Sequence, residues 1–274
     1  MSAPIIDVSS HQGQIGWTQV AGSVQAAVIR LGFRGYHQGN LVYDSQYKIN
    51  RKGCEANGVP FSLYFFPCSI NKEEAEDEAD FIIDACSGMK FVMPVFLDSE
   101  VAQAAGKGRA DQLSKSVRTE LLKTICDRLQ SAGIPAGIYA STSWLNTRLD
   151  MSQLPYSVWV AQYAKALTYK GNFLMWQFTD NGTVPGINGR VDMSILHTVN
   201  QPANPYREPA ATVRSGESGV IVKWIQFQLN LKGYKLTVDG SFGPKTLAAV
   251  RDYQQKRHIT VDGIVGPVTR KALE

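Results

Sequence analysis

An apolar run ends in two carboxylates at FVMPVFLDSE, residues 91–100. Side chains on a strand alternate, so Asp98 and Glu100 point the same way with α-carbons about 6.5–7 Å apart. Two more acids hold comparable places: Asp7 ends the run PIID, and Asp192 in GRVDMS closes the last apolar run. Like charges held close cannot all ionise, so a cluster of these four keeps at least one proton near neutral pH. A retained proton beside an ionised carboxylate suits glycosidic bond cleavage. One group protonates the leaving oxygen and the other stabilises positive charge at the sugar carbon. Taken singly, Asp7, Asp98 or Asp192 reads as a cap or turn residue. Four acids, each at the C-terminal end of an expected strand, form a pattern that capping does not explain.

The same strand ends carry Tyr64, Phe66, Tyr139, Trp144, Trp159, Gln162, Tyr163, Trp176 and Gln177. Aromatic faces stack on sugar rings, and amides bond to hydroxyl and acetamido groups. Taken singly, any one of these is more often core packing. Trp144, outside a strand and after STS, is the least core-like by position, and Phe66 is the most ambiguous. Other site chemistries lack their residues: there is no His-Glu-x-x-His, no Walker loop and no Gly-x-Ser-x-Gly. His11, His37, His197 and His258 are scattered. His11 follows the first strand end and could line the mouth, but the reading favoured for it is a satisfied structural histidine. Nothing calls for a metal or a cofactor.

The elements that must position these residues alternate in type. Short apolar runs at 4–9, 26–33, 60–66, 91–98 and 136–141 are separated by longer helix-compatible stretches, which implies a parallel sheet. Runs at 156–164, 172–180 and 187–196 then follow without long helices, which predicts antiparallel pairs or hairpins. The fold expected is α/β: a TIM-like barrel with a regular (β/α) first part and an all-β closing part, its site at the C-terminal strand ends. The acidic run KEEAEDEAD (72–80) reads as the solvated face of a helix, not a metal or partner site.

With 274 residues, the chain exceeds one such barrel. Prolines, Asn, Ser and Gly cluster at 197–219, so residues 1–197 are read as the catalytic barrel, 198–212 as a linker and 213–274 as a second module. That module repeats itself: TVDGSFGPKTLAAV (237–250) returns as TVDGIVGPVTRKAL (260–273). Asp-Gly and Gly-Pro supply turns, Thr is a natural helix start, and VIVKWIQFQLNLKGY (220–234) is an amphipathic helix ended by Gly233. Three helices and two structured loops are expected.

Charge divides along the same boundary. Residues 1–206 hold 17 Lys+Arg against 18 Asp+Glu, whereas residues 207–274 hold 11 against 6. The C-terminal quarter is therefore suited to an anionic partner, but it lacks the dense Lys/Arg stripe that nucleic acid requires. No stretch is long and apolar enough for membrane insertion, and MSAPIIDVSS has no signal-peptide pattern. Cys54, Cys68, Cys86 and Cys126 show no paired spacing and read as buried free thiols of a reducing compartment.

Together the motifs IDVSSHQGQIGW (6–17), LYFFP (63–67), FLDSE (96–100), GIYAS (137–141), WVAQY (159–163), WQFTD (176–180) and VDMS (191–194) resemble glycoside hydrolase family 25, the Chalaropsis-type muramidases. The resemblance spans residues 4 to about 197. Residues 213–274 resemble the peptidoglycan-binding module common in wall hydrolases and phage endolysins. The resemblance implies a (β/α)5β3 barrel and hydrolysis of the β-1,4 bond from N-acetylmuramic acid to N-acetylglucosamine. By position Glu100 matches the family's proton donor and Asp98 its partner. Asp98 then either stabilises an intermediate formed by the substrate's acetamido group or activates water. Asp7 and Asp192 match the supporting acids. Ser99 and Ser62 are more polar than the commonest family pattern at their positions.

The function expected is a wall muramidase with bacterial peptidoglycan as its partner, acting as a monomer. A phage endolysin made in the host cytoplasm and released through a holin heads the readings; a bacterial autolysin or secreted lysozyme has the same activity. A wall amidase or peptidase would release amino groups in place of reducing ends, and a non-hydrolytic wall-binding protein would release neither.

Overall fold

The computed structural model describes residues 3–89, 91–103, 106–197, 209–257 and 259–273. Residues 198–208 of the expected linker, and His258, lie outside the described residues. The chain divides into two compact units, Met1–Val199 and Asn200–Glu274.

The first unit is a closed barrel. Its strands are β1 (Ile5–Val8), β2 (Ala26–Arg34), β4 (Phe61–Phe66), β5 (Val95–Asp98), β6 (Ala136–Ser141), β7 (Ser157–Ala161), β8 (Met175–Gly182) and β9 (Val191–Leu196). β1 bonds to both β2 and β9, which closes the ring, and a short strand β3 (Leu41–Tyr43) lies antiparallel against the outer end of β2. Helices α2 (Tyr47–Asn57), α3 (Lys72–Ala85) and α4 (Lys115–Ser131) cover the outside, with short α1 (Trp17–Val20) and α5 (Thr142–Thr147). Side chains of Asn71, Ser114 and Ser141 cap α3, α4 and α5 by accepting from Glu74, Val117 and Trp144 amides.

The expected antiparallel closure is confined to β9. β7 and β8 pair in parallel, and within the closed ring only β8–β9 and β9–β1 are antiparallel. The connection over residues 162–174 explains this: at about 3.3 Å per residue it can return along the roughly 17 Å of β7 without a helix. β9 therefore runs toward the barrel floor, so Asp192 stands at its beginning, not at its end.

Strand alternation sorts the side chains into two layers. Ile6, Val8, Ile29, Leu63, Phe65 and Leu97 face outward and pack under the helices. Ile5, Val28, Phe96, Tyr139, Trp159 and Met175 face inward. Inside the floor is tight: a Cβ on Gly137 would lie 2.7 Å from the Phe96 ring, so only glycine lets β5 and β6 keep that layer filled. Continued toward the mouth, the inward parity exchanges apolar residues for Asp7, Arg30, Tyr64, Asp98 and Gln177.

The run KEEAEDEAD forms the first half of α3, but only part of it is solvated. Glu78 is fully buried, accepting from Arg34 Nε at 2.9 Å and from the Cys68 amide at 3.0 Å. Glu74, one turn earlier on that face, holds Arg109 through both carboxylate oxygens at 2.9 and 2.7 Å. Helical period, which puts residues four apart on one face, overrides the acidic composition. All four cysteines are buried and unpaired. Among the described residues no helix is long and apolar enough to cross a membrane.

In the second unit α6 (Val220–Leu231), α7 (Pro244–Lys256) and α8 (Pro267–Leu273) surround Val222, Ile225, Leu229, Phe242, Val250, Tyr253 and Val265. The repeated Thr does not start its helix. Gly243 is the N-cap and Pro244 the first helical residue of α7, and Thr246 is buried. A glutamine on the preceding helix binds each loop. Gln226 Nε2 donates to Asp239 Oδ1 (2.8 Å), Ser241 O (3.0 Å) and Thr246 Oγ1 (3.2 Å), and its Oε1 accepts from the Gly240 amide (2.8 Å). Gln254 repeats the set with Asp262, Ile264, Thr269 and Gly263.

Candidate active site

The four acids meet at one end of the barrel. Asp7 and Asp192 are direct partners in the β1–β9 register, and Asp98 ends β5. Glu100 lies just past the strand, but the Ser99 amide still donates to Tyr139 O at 2.9 Å, so the chain leaves β5 in line with β6. All four line one cavity of about 230 Å³, together with Tyr64, Tyr139, Trp159 and Gln177.

Hydrogen bonds fix where protons sit. Tyr139 and Tyr163 hydroxyls both donate to Gln177 Oε1, at 2.8 and 2.9 Å, so the amide must present its NH₂ to Asp7, and it donates to Oδ2 at 2.9 Å. Burial, then the charge of Asp192, raises Asp7 well above the ordinary carboxylate range. Hydrogen bonding between Asp7 and Asp192 raises Asp7 further and works to lower Asp192, which burial nonetheless keeps raised. Burial, then Glu100 and Asp7, pushes Asp98 up, and its Oδ1 is buried without a hydrogen-bond partner. Glu100 is exposed as a residue, yet its carboxyl is crowded enough that desolvation, then Asp192, raises it as well. Carboxyls raised by burial and packed this closely favour a retained proton beside an ionised neighbour, as acid catalysis at an acetal needs.

The expected sugar-binding residues divide. Tyr64, Phe66, Tyr139, Trp159 and Gln177 line the acid cavity. Tyr139, Gln162 and Tyr163 line a neighbouring cavity of about 530 Å³, which Glu100 also borders. Trp144 and Trp176 line neither. Trp176 faces outward on β8, packs under the helices and donates to Gln162 O at 2.8 Å. Gln162 is itself occupied: its Oε1 accepts from Thr142 Oγ1, Thr168 N and Thr168 Oγ1, and its Nε2 donates to Ala166 O. It staples the 162–168 loop. Trp144, the least core-like by sequence position, is half-buried against the outer layer, with the guanidinium groups of Arg118 and Arg148 5.0 and 5.1 Å from its ring.

The geometry agrees with comparisons to known proteins. Residues 6–187 match the model of glycosyl hydrolases family 25, and residues 218–273 match a putative peptidoglycan binding domain. The chain belongs to glycosyl hydrolase family 25. This family 25 hydrolase is similar to the autolytic lysozyme of Clostridium acetobutylicum, 26% identical over 273 residues, covering 98% of this chain and 78% of the relative. The modular autolysin LytC of Streptococcus pneumoniae, solved with a synthetic peptidoglycan ligand, is 28% identical with a TM-score of 0.63. That match covers 71% of this chain and 46% of LytC. The CTP1L endolysin shares the fold, with 23% identity and a TM-score of 0.57 over 72% of this chain and 67% of that one.

Several cavity residues of the hydrolase were not singled out from sequence. Arg30 lines the acid cavity and is held by Asp44 Oδ2 (2.7 Å) and Ser10 Oγ (2.9 Å). Its signal was available: a lone cation on the inward parity of AAVIRLGF, in register with Tyr64. Ser9, Gln12 and Tyr36 also line it, and so does His11, placed near the mouth from sequence but favoured there as structural. Loop positions carry no period from which these could be read.

Ser99, polar where the family resemblance expects otherwise, accepts from Trp144 Nε1 at 3.1 Å. The bond ties α5 to the peptide between Asp98 and Glu100, so Trp144 is a positioning residue. Trp144→Phe and Ser99→Ala should each lower kcat about tenfold with KM nearly constant, and the double variant should lose no more than either single one. Steady-state kinetics on soluble glycan fragments measure this. Additive losses would mean that the two side chains act separately.

Proposed function

We propose that this family 25 hydrolase is an N-acetylmuramidase that cuts the β-1,4 bond between N-acetylmuramic acid and N-acetylglucosamine in bacterial peptidoglycan. The observation that carries the reading is the convergence of Asp7, Asp98, Glu100 and Asp192 in one cavity where burial and mutual repulsion hold their carboxyls up. Glu100 gives its proton to the leaving oxygen. Asp98, with a free buried oxygen, faces the reacting sugar, while Asp7, Asp192 and Gln177 set the charge around it. The second unit, basic and matched over residues 218–273, holds the enzyme on the anionic wall.

A catalytic barrel joined to a wall-binding module suits a phage endolysin, made in the host cytoplasm and reaching the wall through a holin. The 26% identity to the Clostridium acetobutylicum autolytic lysozyme favours a second reading, a bacterial autolysin of the same activity. The deciding measurement is digestion of purified peptidoglycan, borohydride reduction and identification of the sugar at each new end. Reduced muramic acid is expected. Reduced glucosamine alone, or new amino groups without new reducing ends, would refute the reading.

A further inference from the structure

The cavity that holds the four acids has one Lys or Arg among its described lining residues, Arg30. Register fixes its place. Arg30 pairs with Tyr64 on β4 and Tyr64 with Phe96 on β5, so its side chain enters the barrel one inward step below Asp98. Asp44 Oδ2 accepts from its Nε at 2.7 Å, and the Ser10 hydroxyl accepts from its Nη2 at 2.9 Å. Asp44 is itself buried and braced by the Ser10 and Gln46 amides, at 3.0 and 2.8 Å, so the guanidinium is held from behind. Asp44 does not line the cavity, and the pair therefore presents its positive end to the acids.

A cation is needed there because burial works against the chemistry. Asp98 is buried and Glu100 is exposed, so burial alone would put the proton on Asp98 and the charge on Glu100. Asp98 also has an oxygen, Oδ1, that is buried without a hydrogen-bond partner to favour its ionised form. Burial, Glu100, Asp7 and Asp192 all push Asp98 up, and Arg30 pulls it down. Glu100 is raised by burial and Asp192, with no opposing contribution from Arg30. The other groups around Asp98 do not replace the guanidinium. Burial raises Tyr36, Tyr64 and Tyr139, so all three stay uncharged, and His11 acts on Asp192. We propose that Arg30, clamped by Asp44, is the positioning residue that divides the two roles: it favours the negative charge on Asp98 and so leaves the transferable proton on Glu100. This rests on the muramidase reading and adds to it the group that makes two neighbouring carboxyls behave differently.

The pH dependence of reducing-end release from purified wall tests this, with circular dichroism over the same range to follow folding. Asp98 works ionised, so the rate rises as pH passes its value. Glu100 works protonated, so the rate falls as pH passes its own. Arg30→Gln with Asp44→Asn removes both charges of the pair without leaving either one buried alone, and Arg30→Lys keeps the cation. The full-length double variant should move the acidic limb up by about one pH unit, the effect of losing one nearby opposite charge, and leave the basic limb in place. Arg30→Gln alone should move the acidic limb further, because the Asp44 charge is then unopposed. Arg30→Lys should keep both limbs near the parent's, even where its rate is lower. A uniform loss at every pH, an acidic limb that stays in place, or one that moves as far with lysine would overturn the role of Arg30 and leave the muramidase reading intact. If the parent releases no new muramic acid ends, the muramidase reading fails, and the assignment fails with it.

Discussion

Glu100→Gln is expected to lower turnover on purified wall by at least 10²–10⁴-fold, the usual contribution of a positioned acid, while the protein still sediments with the wall. Glutamine keeps the shape and hydrogen-bonding capacity of the side chain but has no proton to give. The pH profile supplies the second signature. Desolvation and the charge of Asp192 raise Glu100, and the working form is the protonated one. The rate therefore holds through the ordinary glutamate range and falls only as pH rises through the raised value. Asp192→Asn removes a charge that helps hold the proton on, so the basic limb should move to lower pH. Release of reducing ends across pH, alongside sedimentation with the wall, tests both. A Glu100→Gln enzyme with most of its activity would remove this residue as the acid, and a basic limb unmoved in Asp192→Asn would remove Asp192 as its tuner.

Arg34→Met should cost about 3–5 kcal/mol of stability, the range for breaking a buried ion pair from one side. Arg34 is 5% exposed and holds Glu78, Gly39 O at 2.7 Å and Glu74 O at 2.8 Å, tying β2 to α3. Its loss leaves Glu78 with no cation in a fully buried place. The cost should itself vary with pH. Burial pushes Glu78 up to about 7 even with Arg34 beside it. Below about 4.5 the carboxyl is neutral whether the chain is folded or not; as pH rises toward 7 the unfolded chain loses that proton first, and stability falls. Without Arg34 the folded value rises further, so the variant should go on weakening above pH 7, where the parent levels off. Urea unfolding at pH 5 and pH 7.5 measures both effects. Adding Glu78→Leu to Arg34→Met should recover much of the loss and flatten the slope. A single-variant cost below about 1 kcal/mol would mean that the pair carries little.

What the sequence revealed, and what it hid, divides by the kind of pattern involved. β1, β2, β4, β5 and β6 are legible because each is a short apolar run, and strand alternation then places Asp7 and Asp98 correctly on the inner face. The β7–β8 pairing is not legible, because direction depends on how far a connection can travel and not on what flanks it. Glu100 converges with Asp98 for a different reason than strand period: it lies beyond the strand, where the chain continues beside β6. The tryptophans show the limit most clearly. Trp159, Trp144 and Trp176 are the same residue type near the same mouth, yet one floors the acid cavity and two hold up loops from outside. Parity separates Trp159 from Trp176 on their strands, but α5 is too short to give Trp144 a readable face. In the second unit the doubled Asp-Gly loops stand out in sequence, and Gln226 and Gln254 do not, because they lie 28 residues apart whereas the loops repeat every 23.

The reversal of β9 settles where the barrel's chain enters and leaves. With seven strands running toward the mouth and one running back, Ile5 and Ser194 are neighbours in register at the floor. Both ends of the catalytic chain thus share the rim remote from the acids. A ring closed there by a short linker and reopened in another floor-side loop would keep every mouth residue on its own strand. In that sense the barrel is a cyclic object cut at an arbitrary place, and its chemistry is indifferent to the cut.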